Sequence, residues 1–134
     1  MKLRKEHLTI GLEEEEKFVK WYVHEFMPDH LPEYHEVFTT EDLVRMVRNG
    51  RKEAIARGFT DGPSQAHFVT LMWKLGPSFH RFPGFCEIAD AKDQPGPERI
   101  ERFYEVSDEQ GAAAVLGADD RYWFPESYFP EQSG

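Results

Sequence analysis

Six histidines, one cysteine and a surplus of carboxylates are the side chains from which this chain could assemble reactive chemistry. A helical zinc site needs two histidines one turn apart on the same face, with a glutamate beside the first. His24-Glu25 begins that pattern, but His30 arrives two positions late and beyond Pro28. Asp29, His30, Glu33 and His35 bring ligand types into one connector, yet solvated polar residues between prolines account for the same letters, so no metal is expected. For nucleophilic catalysis the candidates are Cys86 and His80, the latter beside Arg81. Cys86 sits between Phe85 and Ile88, the setting of a small core residue rather than an activated thiolate. There is no G-x-S-x-G elbow and no glycine-rich phosphate loop. Neither the Glu13–Glu16 run nor Asp119-Asp120 is spaced as a calcium loop. No catalytic residue, metal or cofactor is therefore assigned.

The elements that would position such groups are helical. Residues 62–76, GPSQAHFVTLMWKLG, put Ala66, Phe68, Val69, Leu71, Met72, Trp73 and Leu75 over more than half of a helical wheel. Only His67, Thr70 and Lys74 share the remaining stripe, and a helix apolar on most sides must be wrapped by others. Gly62-Pro63 opens it and Gly76-Pro77 closes it. An earlier helix is expected from Leu12 to Met27, with Phe18, Val19, Tyr22, Val23, Phe26 and Met27 on one face and Pro28 as its stop. The connector 28–39 would tuck in Leu31, Val37 and Phe38. A further helix from Glu41 to Arg57 has Thr39 or Thr40 as N-cap, Gly58 at its C-terminal cap and an apolar face of Leu43, Val44, Met46, Val47, Ala54 and Ile55. Gly50 on that face would admit a neighbouring backbone. Arg51, also on it, either snorkels or meets a buried carboxylate. Residues 85–91 suggest one or two helical turns. Beyond the linker 92–97, a helix from Pro97 turns Ile100, Phe103 and Tyr104 inward, and Ser107 with Gln110 forms a capping box for a short helix through Leu116. The expected fold is mainly α, a single-domain helical bundle (1–117) around the buried helix 62–76, followed by an aromatic tail (118–134).

That tail repeats an aromatic-Phe-Pro-Glu unit at 123–126 and 128–131. Phenylalanine before proline disfavours helix, so an extended or turn conformation is expected. Tyr122, Trp123, Phe124, Tyr128 and Phe129 are too many aromatics to leave hydrated without a purpose. They either fold back over the core or dock a partner. Arg45, Arg48, Arg51, Lys52 and Arg57 concentrate positive charge on one helix. They either pair with Glu13–Glu16, Glu41 or Glu53, or form a patch for an acidic partner. The tail aromatics together with Arg45, Arg48, Arg51 and Lys52 are thus the candidate partner-binding residues. A net charge of −9 disfavours nucleic acid and anionic membranes. The lone cysteine excludes an internal disulfide. No apolar segment follows the basic N-terminal residues as in a signal peptide, and no apolar run is long enough to span a bilayer, so a cytoplasmic location is expected.

The block from Thr39 to Pro83 resembles a group of small bacterial proteins commonly encoded beside type VI secretion effectors and spike-tip proteins. The resemblance lies in an acidic-apolar helix (Glu41 to Val47), an Arg-rich stretch ending in a Gly-apolar turn (Arg51 to Phe59), and a Phe-x-x-Leu-Met helix closed by glycine (Phe68 to Gly76). It extends over residues 12–90 and leaves the tail outside. The group's usual Tyr-Gly-Ile turn is here Arg57-Gly58-Phe59. The resemblance implies a helical accessory protein and carries no catalytic residue. Three readings of function follow: an adaptor that holds an effector or its chaperone; a cytoplasmic immunity protein whose negative charge would complement a basic toxin; and an enzyme, with Cys86 and His80 as its only candidates.

Overall fold

The computed structural model describes residues 14–125, and every regular element among them is helical. Leu12 and Glu13 at the start of the first expected helix fall outside those residues, as do Tyr128 and Phe129 of the tail. The chain divides into two units, Met1–Arg48 and Asn49–Gly134.

In the first unit, residues 14–21 are α-helical and run without a break through a π-helical segment, Tyr22–Phe26, into Met27–His30. We name this continuous helix α1. The sequence places its end at Met27, before Pro28, but the structure carries it one turn further. Met27 N–H donates to Tyr22 O, five residues back, so the turn ahead of Pro28 is widened. A wider turn relieves the clash that a proline ring has with the carbonyl four residues back in a regular helix. Leu31 N–H then closes on Met27 O at 2.8 Å. Val19, Tyr22, Val23 and Met27 are buried, as the helical period requires. In the connector, a short helix α2 (Pro32–His35) follows. Leu31 is buried and Phe38 half-buried, but Val37 is 73% exposed, contrary to the expected inward position. Helix α3 spans Thr40–Ala56, and the division between the units falls inside it. Thr39 is its N-cap, its Oγ1 accepting from Asp42 N–H at 3.1 Å. Leu43, Met46 and Val47 are buried on the part that belongs to the first unit.

The second unit begins with the last turns of α3. Gly58, at φ +88°, ends that helix, with Gly58 N–H on Ile55 O and Phe59 N–H on Ala54 O. Those crossed bonds form a Schellman motif, whose left-handed residue favours glycine. Ile55, read as part of the apolar face, is instead exposed, while Ala54 is fully buried. Helix α4 (Gly62–Leu75) is the buried rod that its composition predicts. Asp61 caps it by accepting from Ser64 N–H at 3.0 Å, and Gly76 terminates it. Ser64, Gln65, Phe68, Val69, Thr70, Leu71, Met72 and Trp73 are all buried. Of its polar stripe, His67 and Lys74 face solvent, whereas Thr70 turns its hydroxyl onto Ala66 O at 2.8 Å.

A 3-10 turn (Phe79–Arg81), α5 (Cys86–Asp90), α6 (Gly96–Tyr104) and α7 (Asp108–Leu116) follow, and α4 packs on both α6 and α7. The Ser107 cap of α7 accepts from Gln110 N–H at 3.3 Å. Tyr104, expected inward, is 53% exposed and shares a 2.9 Å hydrogen bond with His67. Five phenylalanines from separate segments meet around α4. Phe68 lies 5.3 Å from Phe59 and 5.1 Å from Phe79. Phe103 lies 5.4 Å from Phe79 and 6.3 Å from Phe85. Edge-to-face and tilted pairs at such separations add to the burial of each ring.

Candidate functional site

Arg99 is the largest fully buried side chain among the described residues. It lies one turn before Phe103 on α6, and so shares the inward face with it. Its Nε donates to Ile88 O at 3.0 Å and its Nη2 to Arg57 O at 2.8 Å and to Ala89 O. The guanidinium carbon lies 4.0 Å above the Phe59 ring. Burial pushes the guanidinium below its ordinary range, with Asp90 and Asp93 opposing, and it stays charged. One planar fork thus satisfies carbonyls at the ends of two helices, α3 and α5. Sequence reading missed it, although the spacing to Phe103 was the available signal.

His80 is the second buried polar group. Its ring is enclosed by Phe68 (5.3 Å), Phe79 (5.5 Å) and Tyr122 (4.9 Å). Its Nε2 meets Glu53 Oε2 at 2.7 Å. Glu53 also accepts from Arg57 Nε at 2.9 Å, and Asp90 lies 3.4 Å from Arg57 and 3.1 Å from Arg81. His80 Nδ1 is buried and has no hydrogen-bond partner among the described residues. A protonated ring would leave a buried N–H unmet, so the neutral ring donating Nε2–H to Glu53 is the form that fits. Burial accordingly pulls the His80 pKa below its ordinary value, against the opposing pull of Glu53. For Glu53, burial acts upward but is outweighed by the hydrogen bonds and charges of His80 and Arg57, so its pKa is lowered.

Both shifts have the same consequence for stability. A depressed pKa means the unfolded chain binds the proton more readily, so stability present at neutral pH is lost as pH falls. The loss begins near pH 6.5, where unfolded histidine titrates, and Glu53 adds to it below about 4.5. Urea midpoints at pH 7.5 and 5.5 should therefore differ in the wild-type protein. They should differ much less in His80→Gln, which has no ring to charge.

A pocket-forming glycine accounts for part of the tail. Trp123 is 4% exposed. Its ring lies 4.5 Å from that of Trp73, tilted by 35°. A Cβ at Gly50 would lie 3.1 Å from Trp123 Cζ3, 3.3 Å from Met72 Sδ and 3.3 Å from Val69 Cγ2. Gly50 therefore admits side chains, not the backbone expected. Asn49 Nδ2 donates to Trp123 O at 2.8 Å, and Asp119 N–H donates to Ser78 Oγ at 3.0 Å. This part of the tail is folded onto its unit, with a 3-10 turn at Asp120–Tyr122, one of the two conformations expected.

The candidate partner-binding residues thus separate. Trp123 and Arg51 are interior, which removes both from a docking surface. Arg51 Nε donates to Gln65 Oε1 at 3.1 Å, and Gln65 Nε2 in turn donates to Phe59 O at 3.0 Å. Tyr122 and Phe124 are half-buried. Arg48 reaches Glu15 at 3.8 Å within the first unit, one of the pairings that the acidic run suggests. Arg45 is half-buried and Lys52 exposed. Cys86 Sγ lies 2.8 Å from Glu87 Oε1. That hydrogen bond, with a smaller contribution from burial, raises the thiol pKa, opposite to the direction a nucleophile needs. Among the described residues no group of three or more His, Cys, Asp or Glu is placed to hold a metal ion, so the Asp29 to His35 set does not assemble one. No helix of the described residues is long and apolar enough to cross a membrane.

Phe18, Tyr22 and Phe26 were expected on one face of α1, but Trp21 joins them there. Trp21 is 41% exposed. It lies 6.1 Å from Phe18, 6.1 Å from Tyr22 and 5.4 Å from Phe26, and Phe26 continues onto His30 at 4.5 Å. Residues five apart stand about 140° apart on a regular helix. The π-helical turn rotates Phe26 back towards Trp21, so the widened segment makes this face. No known protein family, curated protein or solved structure matches the chain.

Proposed function

We propose that the chain is a non-enzymatic protein-binding module, an accessory or adaptor protein that holds a type VI secretion effector or its chaperone in the cytoplasm. The observation that carries the reading is Trp21, a large apolar ring exposed at 41% yet braced by three aromatic neighbours. A tryptophan already fixed in place loses little freedom on binding, which is what makes such rings strong anchors. The resemblance of residues 39–83 supports the choice of partner class. Tagged protein purified from its own host should bring down an effector, a chaperone or a spike-tip protein. Recovery of none of these under gentle conditions contradicts the proposal.

The immunity reading is favoured by one observation, the net charge of −9, which would complement a basic toxin. Co-expression with a toxin encoded beside it separates the two. An immunity protein restores growth; an adaptor does not.

A further inference from the structure

Helix α7 turns its smallest residues to the core and its largest apolar ones to water. Ala114 is fully buried, and a Cβ at Gly111 would lie 3.7 Å from Leu75 Cδ2 on α4. On the opposite side Val115 is 50% and Leu116 88% exposed, and Ala112 and Ala113 are exposed with them. Ala112 and Leu116 stand one turn apart, so these side chains form one strip along the helix. Packing within the chain explains Gly111 and Ala114 but gives Val115 and Leu116 nothing to cover. Charge frames the strip. The nine residues 110–118 carry none, whereas Asp108-Glu109 precede them and Asp119-Asp120 follow. Arg121, the single cation from Phe103 to Gly134, meets Asp119 at 2.7 Å and leaves that end with one net negative charge.

We propose that the outer face of α7 docks an amphipathic helix of a partner protein. The apolar side of that helix covers Val115 and Leu116, and a lysine or arginine at each end of it meets an acidic end of the strip. At about 1.5 Å per residue the uncharged part of α7 spans roughly two turns, which sets the spacing of the two cations. Charge decides against the other occupants. A second copy would bring acidic end against acidic end whichever way the two helices ran. Residues 126–134 of the same chain hold Glu126 and Glu131 and no cation. The strip belongs to the second unit and does not involve Trp21, so the inference goes beyond the protein-binding proposal and either can fail alone.

The test is calorimetric titration of the full-length protein with two synthetic helical peptides. Both carry a leucine face two turns long, one bracketed by lysines and the other by glutamates. The lysine peptide should bind, and Leu116→Ser should weaken it at least about tenfold, the share of one covered leucine. Leu116 is almost wholly in water, so that variant should melt within about 2 °C of the wild-type protein. Val37→Ser, an exposed apolar position in the first unit, should bind the peptide as the wild type does. No binding of the lysine peptide would overturn the inference. Equal binding by Leu116→Ser would reduce the contact to charge alone and overturn it too, as would equal binding of the glutamate peptide. Self-association that Leu116→Ser abolishes would make a second copy the occupant, and binding seen only after removal of residues 126–134 would make it the tail; either result contradicts the proposal.

Discussion

Replacing Arg99 with methionine should cost about 3–5 kcal/mol of stability, the range seen when one partner of a buried charged contact is removed. For a chain of this length that is a fall in melting midpoint on the order of 10 °C or more. The methionine fills much of the volume but donates nothing. Ile88 O, Ala89 O and Arg57 O, each served by the guanidinium in the native protein, lose that donor together. An unmet buried carbonyl costs about 1–3 kcal/mol, and partial relaxation keeps the sum below three full penalties. Arg99→Lys is the sharper comparison. Its ammonium keeps the charge and can lie over Phe59, but a single point cannot reproduce a fork that reaches several carbonyls. Lysine should therefore recover less than half of the loss. Full recovery would show that charge over the ring, and not the carbonyl contacts, is what Arg99 supplies.

Phe68→Ala should be nearly as damaging, costing about 3–5 kcal/mol. Its ring is fully buried on α4 and meets Phe59, Phe79, His80 and Phe103. Neighbours contributed by three separate segments cannot all move inward to close the space left behind, so most of the cavity should persist. Phe68→Leu keeps more of the volume and should lose substantially less. Chemical denaturation of the two variants checks the order, and the denaturant slope should stay unchanged if the rest of the fold is intact.

Much of the fold was legible because its signals are local. Residues 62–76 announce a buried helix through an apolar run bracketed by Gly62-Pro63 and Gly76-Pro77, and the Thr39, Gly58 and Ser107 signals mark real helix ends. What escaped depends on groups distant in the chain. Arg99 looks like a surface residue until the carbonyls of Arg57, Ile88 and Ala89 converge on it, and no single stretch reveals that. His80 and Glu53 lie 27 positions apart, so their 2.7 Å contact is equally invisible to periodicity. The π-helical turn of α1 hides for another reason. Its residues follow the ordinary helical period, and only the widened hydrogen bond changes which of them share a face. Ile55 and Tyr104 fail at helix ends, where the assumed face runs out of neighbours. Of the candidate site, Gly50 was readable as a close-approach position, whereas the exposed Trp21 was not singled out at all.

If the chain binds a partner as proposed, the exposed Trp21 is its anchor. Partner capture by the wild-type protein and by Trp21→Ala, compared at equal concentration, tests it most directly. Trp21→Ala should melt close to the wild-type midpoint, because the ring is already half in water, and should bind at least about 30-fold more weakly, as expected for a tryptophan hot spot. Capture equal to that of the wild-type protein would contradict the account.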